Sequence, residues 1–70
     1  MLTPRERDVL LLLAHGLSHG DIATRLGISR HTVGTHMKHC YRKLGARTAA
    51  HAITRALELK LVSLRDLSRS

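Results

Sequence analysis

Apolar positions along this chain recur at helical spacing, and no window alternates with period two, so every element they predict is a helix. The helices are punctuated by caps. "TPRE" is a capping box formed by Thr3 and Glu6, with Pro4 at the first helical position, where its missing N–H costs nothing. The apolar run behind it predicts a first helix ending at Gly16. "SHGD", from Ser18 to Asp21, is a second box that opens a short helix through Leu26. After the interruption at Gly27, Ser29 caps a third helix, which stops at Gly45 as a left-handed terminator. Thr48 caps a fourth over residues 49–61, and "SLRD" offers one more turn in a tail over residues 63–70. The expectation is one all-α domain over residues 1–62, a four-helix bundle, followed by that tail.

The faces of the helices say what each is for. On the third, Val33, Met37, Cys40 and Leu44 form a single stripe that packs inward. The opposite stripe carries His31, Thr35, Lys38 and Arg42, flanked by Gly34 and His39. Ala23, Gly27 and Val33, with Ile22, Leu26 and Ile28 around them, have the spacing of a helix-turn-helix. There a small residue allows a close crossing, a residue tolerant of positive φ makes the turn, and an apolar anchor lies under the second helix. On the fourth helix, Ala50, Ile53, Leu57 and Leu61 are expected in the core. Ala49, Ala52, Ala56 and Leu59 form a small-residue strip expected to pair with a second copy of the chain.

Composition then narrows the partner. The formal charge is +7 and the isoelectric point about 11.2, which points to a polyanion. Residues 22–57 contain no acid, whereas Arg25, Arg30, Lys38, Arg42, Lys43, Arg47 and Arg55 all fall there. An acid-free cationic helix face is what phosphate neutralisation and counterion release require. Tyr41 is the sole aromatic residue, so stacking platforms for single strands are poorly supplied and double-stranded DNA is the expected partner. One cysteine, Cys40, rules out an internal disulfide and fits a reducing compartment, so the expected location is the cytoplasm, at the nucleoid. The longest apolar run is too short to cross a membrane, and an alanine-rich amphipathic helix is weak for lying on one.

Other chemistries are poorly served. His36, His39 and Cys40 have tempting spacing for a metal, yet Cys40 falls on the inward stripe and no second ligand pair follows, so no metal and no cofactor are expected. No nucleophile stands with a base, and no glycine-rich phosphate loop follows a strand, so an enzyme is not expected.

The motifs "LTPRERDVLLLLAHGLS" (residues 2–18), "DIATRLGIS" (21–29), "TVGTH" (32–36) and "RKLGA" (42–46) make the chain similar to the LuxR/GerE/FixJ class of bacterial transcription regulators, in its DNA-binding domain. The resemblance covers residues 2–62 and implies four helices, unrelated to the winged-helix type, with DNA read by the third and dimerisation commonly through the fourth. It puts the groove-facing positions on Gly34, Thr35 and Lys38, with His39 adjacent, and phosphate contacts on Arg30 and Thr32. His31, Arg42, Lys43 and Arg47 complete the expected phosphate set. Members often have Lys or Arg where this chain has Gly34, and Arg where it has Ala49. With no Asn or Gln, the bidentate adenine contact is absent, so Lys38 is expected at guanine O6/N7 and the Thr35 methyl against thymine.

The alternative is an interaction module docking on RNA polymerase, as the promoter-recognising end of a sigma factor does; "RKLGA" and the capped fourth helix favour the LuxR type. Larger members of the class carry a sensory domain for which this chain has no room. A free-standing regulator and a piece of a longer one both fit the sequence.

Overall fold

Each helix begins where a side chain can receive the N–H groups that have no carbonyl partner. In the computed structural model, which describes residues 1–68, these are α1 (Pro4–Ala14), α2 (His19–Leu26), α3 (Arg30–Leu44), α4 (Ala49–Glu58) and α5 (Leu64–Ser68). Thr3, Ser18, Ser29 and Thr48 accept from the backbone N–H of Glu6, Asp21, Thr32 and His51. Both expected capping boxes close, and Ser63 with Asp66 adds a third: the Ser63 N–H donates to Asp66 Oδ2 at 2.8 Å and the Asp66 N–H to Ser63 Oγ at 3.2 Å. Each such cap is worth roughly 1 kcal/mol. The tail therefore supplies a fifth helix, and the expected four-helix bundle has one element more.

The long helices also share one ending. Gly16, Gly27 and Gly45 have φ of 89°, 69° and 64°, and the residue after each donates back five positions, as Ile28 N–H does to Ala23 O at 3.0 Å and Ala46 N–H to Tyr41 O at 2.9 Å. This is the Schellman motif, in which a left-handed residue reverses the chain and satisfies the last carbonyls. α4 ends the same way without a glycine. Lys60 takes φ 61°, and Leu61 N–H donates to Ala56 O at 2.9 Å. The fourth helix therefore stops at Glu58 rather than at residue 61.

Two apolar clusters meet along α1 and α3. Val9, Ile22, Ala23, Val33 and Met37 lock α2 against α3, which fixes the helix-turn-helix. Leu10, Cys40, Leu44, Ala52, Ala56 and Val62 hold α4 to the other end of α3, and Tyr41 packs against both clusters. The inward stripe of α3 is as expected, each of its members being 3 % exposed or less.

Ile53 and Leu57 of α4, with Leu61 just beyond it, pack against the core cluster as expected, but the small-residue strip is split: Ala49 is half-buried and Leu59 exposed, whereas the two alanines between them turn inward. Ala52 and Ala56 are 0 % exposed, while Ala50 is exposed and Ile53 and Leu57 are half-buried. The alanines sit in the core cluster because methyl groups permit a close crossing of α4 over α1 and α3; they are not available as a strip for a second copy. Two side chains fasten the remaining ends. Arg55 Nε donates to Leu44 O at 3.1 Å, placing a cation on the carbonyl end of α3. Arg7 donates to Leu61 O at 3.4 Å and pairs with Asp66 at 2.9 Å, tying α1 to α5.

Candidate nucleic-acid interface

The turn between α2 and α3 consists of Gly27, Ile28 and Ser29, and Ser29 Oγ accepts from the Thr32 N–H at 3.0 Å and bonds the Thr32 hydroxyl at 2.9 Å. Thr32 thus spends its hydroxyl on the helix start. With Val33, Met37, Cys40 and Leu44 buried, the opposite face of α3 has one orientation available to it: outward.

Lys38 and Arg42 are exposed on that face, and Arg30, His31 and Arg47 are exposed as well, whereas Arg25 on α2 lines a concavity with Arg7, Asp8 and Asp66. Among the described residues, Arg25, Arg30, Lys38, Arg42 and Arg47 have no ion pair or hydrogen bond with the protein. Thr35 donates its hydroxyl to His31 O at 3.1 Å, which leaves its methyl as the group free for an outside contact. Gly34 is half-buried with ordinary helical backbone, and nothing lies within 4 Å of where a Cβ would stand. Nothing in the fold demands a glycine there.

Two of the expected contact residues stand beside Glu6. Lys43 Nζ lies 2.7 Å from Glu6 Oε1, and His39 Nδ1 lies 3.5 Å from Glu6 Oε2. Glu6 is 3 % exposed and also accepts from the Thr3 N–H at 3.0 Å. Burial pushes its carboxyl up, but the hydrogen bonds from Lys43 and Thr3 outweigh this and hold it below its ordinary range. A buried carboxylate without Lys43 is costly, so Lys43 has an anion within the fold, while His39, with its side chain 44 % exposed, pairs with Glu6 only when protonated. The sequence shows Glu6 only as the second half of a capping box; its role as an anchor for α3 has no local signal.

Cys40 is wholly buried, and its thiol donates to Glu6 O at 3.5 Å. Burial pushes that thiol up to about 11, with the Glu6 charge adding to the effect, so it is inert. Cys40 and His39 leave α3 in different directions and do not converge with His36 on a common point. No described helix is long and apolar enough to cross a membrane.

The profile of the GerE family, described as bacterial regulatory proteins of the luxR family, matches residues 1–56. The chain belongs to this family. Its members are regulators of transcription rather than enzymes. The chain is 44 % identical over 61 residues to the transcriptional activator protein CarR of Pectobacterium carotovorum subsp. carotovorum, covering 87 % of this chain and 25 % of that protein. It is 48 % identical over 62 residues to the transcriptional regulatory protein MctR of Rhizobium johnstonii, covering 89 % of this chain and 29 % of that one. The crystal structure of the response regulator ChrA, from a heme-sensing two-component system, superposes with a TM-score of 0.83 at 42 % identity, covering 89 % of this chain and 31 % of ChrA. The LuxR-type domain thus spans a minor part of these relatives, and only 6 % of longer mycobacterial ones to which it is 49 % identical over 55 residues.

Proposed function

We propose that this LuxR-type domain binds double-stranded DNA sequence-specifically, with α3 in the major groove, and regulates transcription in the cytoplasm at the nucleoid. The observation that carries this is the face of α3 bearing Lys38 and Arg42: exposed, unpaired, and held outward by a fully buried opposite stripe. Lys38, nearer the helix start, reads guanine, and the Thr35 methyl packs on thymine. Arg42, Arg30 and Arg47 hold phosphates, with His31 and the Thr32 backbone close by. Two copies pair through the outer side of α4, where Ala49 and Leu59 of the expected strip remain accessible and Ala50 is exposed beside them.

The test is selection of bound duplexes from a random pool at near-physiological salt, which is expected to enrich one motif as two half-sites related by symmetry. On that motif, Lys38→Ala is expected to cost about 1–3 kcal/mol and to relax one base position, whereas Arg42→Ala weakens all sequences alike. Equal losses on cognate and random DNA for Lys38→Ala would sink the base-reading role. A strictly monomeric mass on and off DNA would remove the pairing.

A further inference from the structure

Two glycines of this chain lie inside helices with ordinary helical φ, Gly20 in α2 and Gly34 in α3, so backbone geometry accounts for neither. Their surroundings differ. Around Gly34 a Cβ would find open space, but one on Gly20 would stand 2.5 Å from Arg30 Nη2, 2.9 Å from its Nε and 3.1 Å from its Cζ. These three guanidinium atoms lie over Gly20, and a Cβ there would require the Arg30 side chain to shift. Arg30 is nevertheless exposed, and no acid among the described residues forms an ion pair with it. The neighbouring carboxylate, Asp21, accepts from the Ser18 N–H at 3.3 Å within its capping box. Ser18, Asp21, Thr24, Gly27, Ile28 and Arg30 line the same open concavity between the two helices.

We propose that Gly20 is a positioning residue for Arg30. Its missing side chain opens the berth in which the guanidinium lies across the start of α2, at the seam of the helix-turn-helix, and from that berth Arg30 holds a DNA backbone phosphate. The proposal rests on the reading of Arg30 as a phosphate contact. A methyl at position 20 evicts a flexible side chain rather than backbone, so the fold survives the change while the cation loses its place. Ala also suits a helix better than Gly, so a purely structural role for Gly20 predicts no loss of binding on Gly20→Ala.

The experiment is a double-mutant cycle on the duplex recovered by selection, with affinity measured against salt, using Gly20→Ala, Arg30→Ala and both together. Gly20→Ala is expected to bind about fivefold more weakly near 0.15 M salt, the value of one counterion release, with the slope of log affinity on log salt shallower by about 0.9. Arg30→Ala is expected to show the same loss, and the double variant no further loss. Additive losses, or full affinity in Gly20→Ala beside a weakened Arg30→Ala, overturn the positioning role. Unchanged affinity in Arg30→Ala overturns the phosphate contact itself and leaves the remainder of the DNA-binding reading standing. The Arg30 Nε–H resonance, recorded without DNA, tests the berth independently: it is expected to move in Gly20→Ala, and a fixed position overturns the proposal even if the protein binds no DNA.

Discussion

Lys38 and Lys43 stand little more than one helical turn apart on α3, yet the fold treats them in opposite ways. Lys38 projects to solvent with no ion pair among the described residues, while Lys43 reaches back to a carboxylate that is 3 % exposed. The contrast extends through the molecule. At the end where α1, α4 and α5 meet, Arg7 and Arg55 are matched to Asp66, to Glu58 and to backbone carbonyls. Around the helix-turn-helix, Arg30, Arg42 and Arg47 have no ion pair with the described residues. What assigns a cation to the fold or to a partner is whether the protein supplies its anion, and net charge alone does not reveal the division.

The largest effect that would break this comparison is in stability. Lys43→Met strands the Glu6 carboxylate in the core and is expected to cost about 3 kcal/mol in urea unfolding. Lys38→Met, which removes an exposed charge, is expected to stay within about 0.5 kcal/mol of the parent. Equal costs would dissolve the distinction. The pair also sets a direction with pH. The native Glu6 carboxyl is held below its ordinary value of 4.5, so the unfolded chain takes up its proton first. The stability it contributes is present above pH 4.5 and falls away as pH drops through the lower native value. Glu6→Gln is expected to flatten that part of a stability–pH curve; a curve unchanged by the substitution would locate the acid sensitivity elsewhere.

Next in size is the crossing of α4. Ala56→Leu inserts bulk where the side chain is 0 % exposed and is expected to destabilise the isolated chain by about 1–3 kcal/mol, measured by thermal unfolding at low concentration. A variant that folds as well as the parent and changes only its association would restore Ala56 to an interface.

Most of the architecture was legible because each cap is a local event. Ser18 with Asp21 and Thr3 with Glu6 declare helix starts within four residues of sequence, and a glycine at position 27 or 45 declares an end. α3 was legible by face because its inward stripe is apolar and its outward stripe charged. α4 was not. Alanine suits both a core crossing and a surface, so Ala52 and Ala50 exchange places without changing the pattern, and only the distance to α1 and α3 decides. The end of α4 was equally hidden, since Lys60 adopts the left-handed conformation that glycine announces elsewhere. In the site, Lys43 and His39 belong to the same basic run as Lys38. Their approach to Glu6, which is remote in sequence and arrives through tertiary packing, has no local signal.

The smallest effect sharpens the comparison within α3 itself. Gly34 lowers helix stability relative to Ala, and its surroundings contain nothing that a methyl would disturb. Gly34→Ala is therefore expected to stabilise the domain by about 0.5–1 kcal/mol in chemical denaturation. The same variant on cognate DNA separates two origins for the residue. If α3 approaches base edges closely at this position, the methyl collides and affinity falls even as stability rises, so Gly34 belongs with Lys38 in the set shaped for a partner. Equal affinity beside the gain in stability would leave the notch without a role in binding and shift specificity onto Thr35 and Lys38.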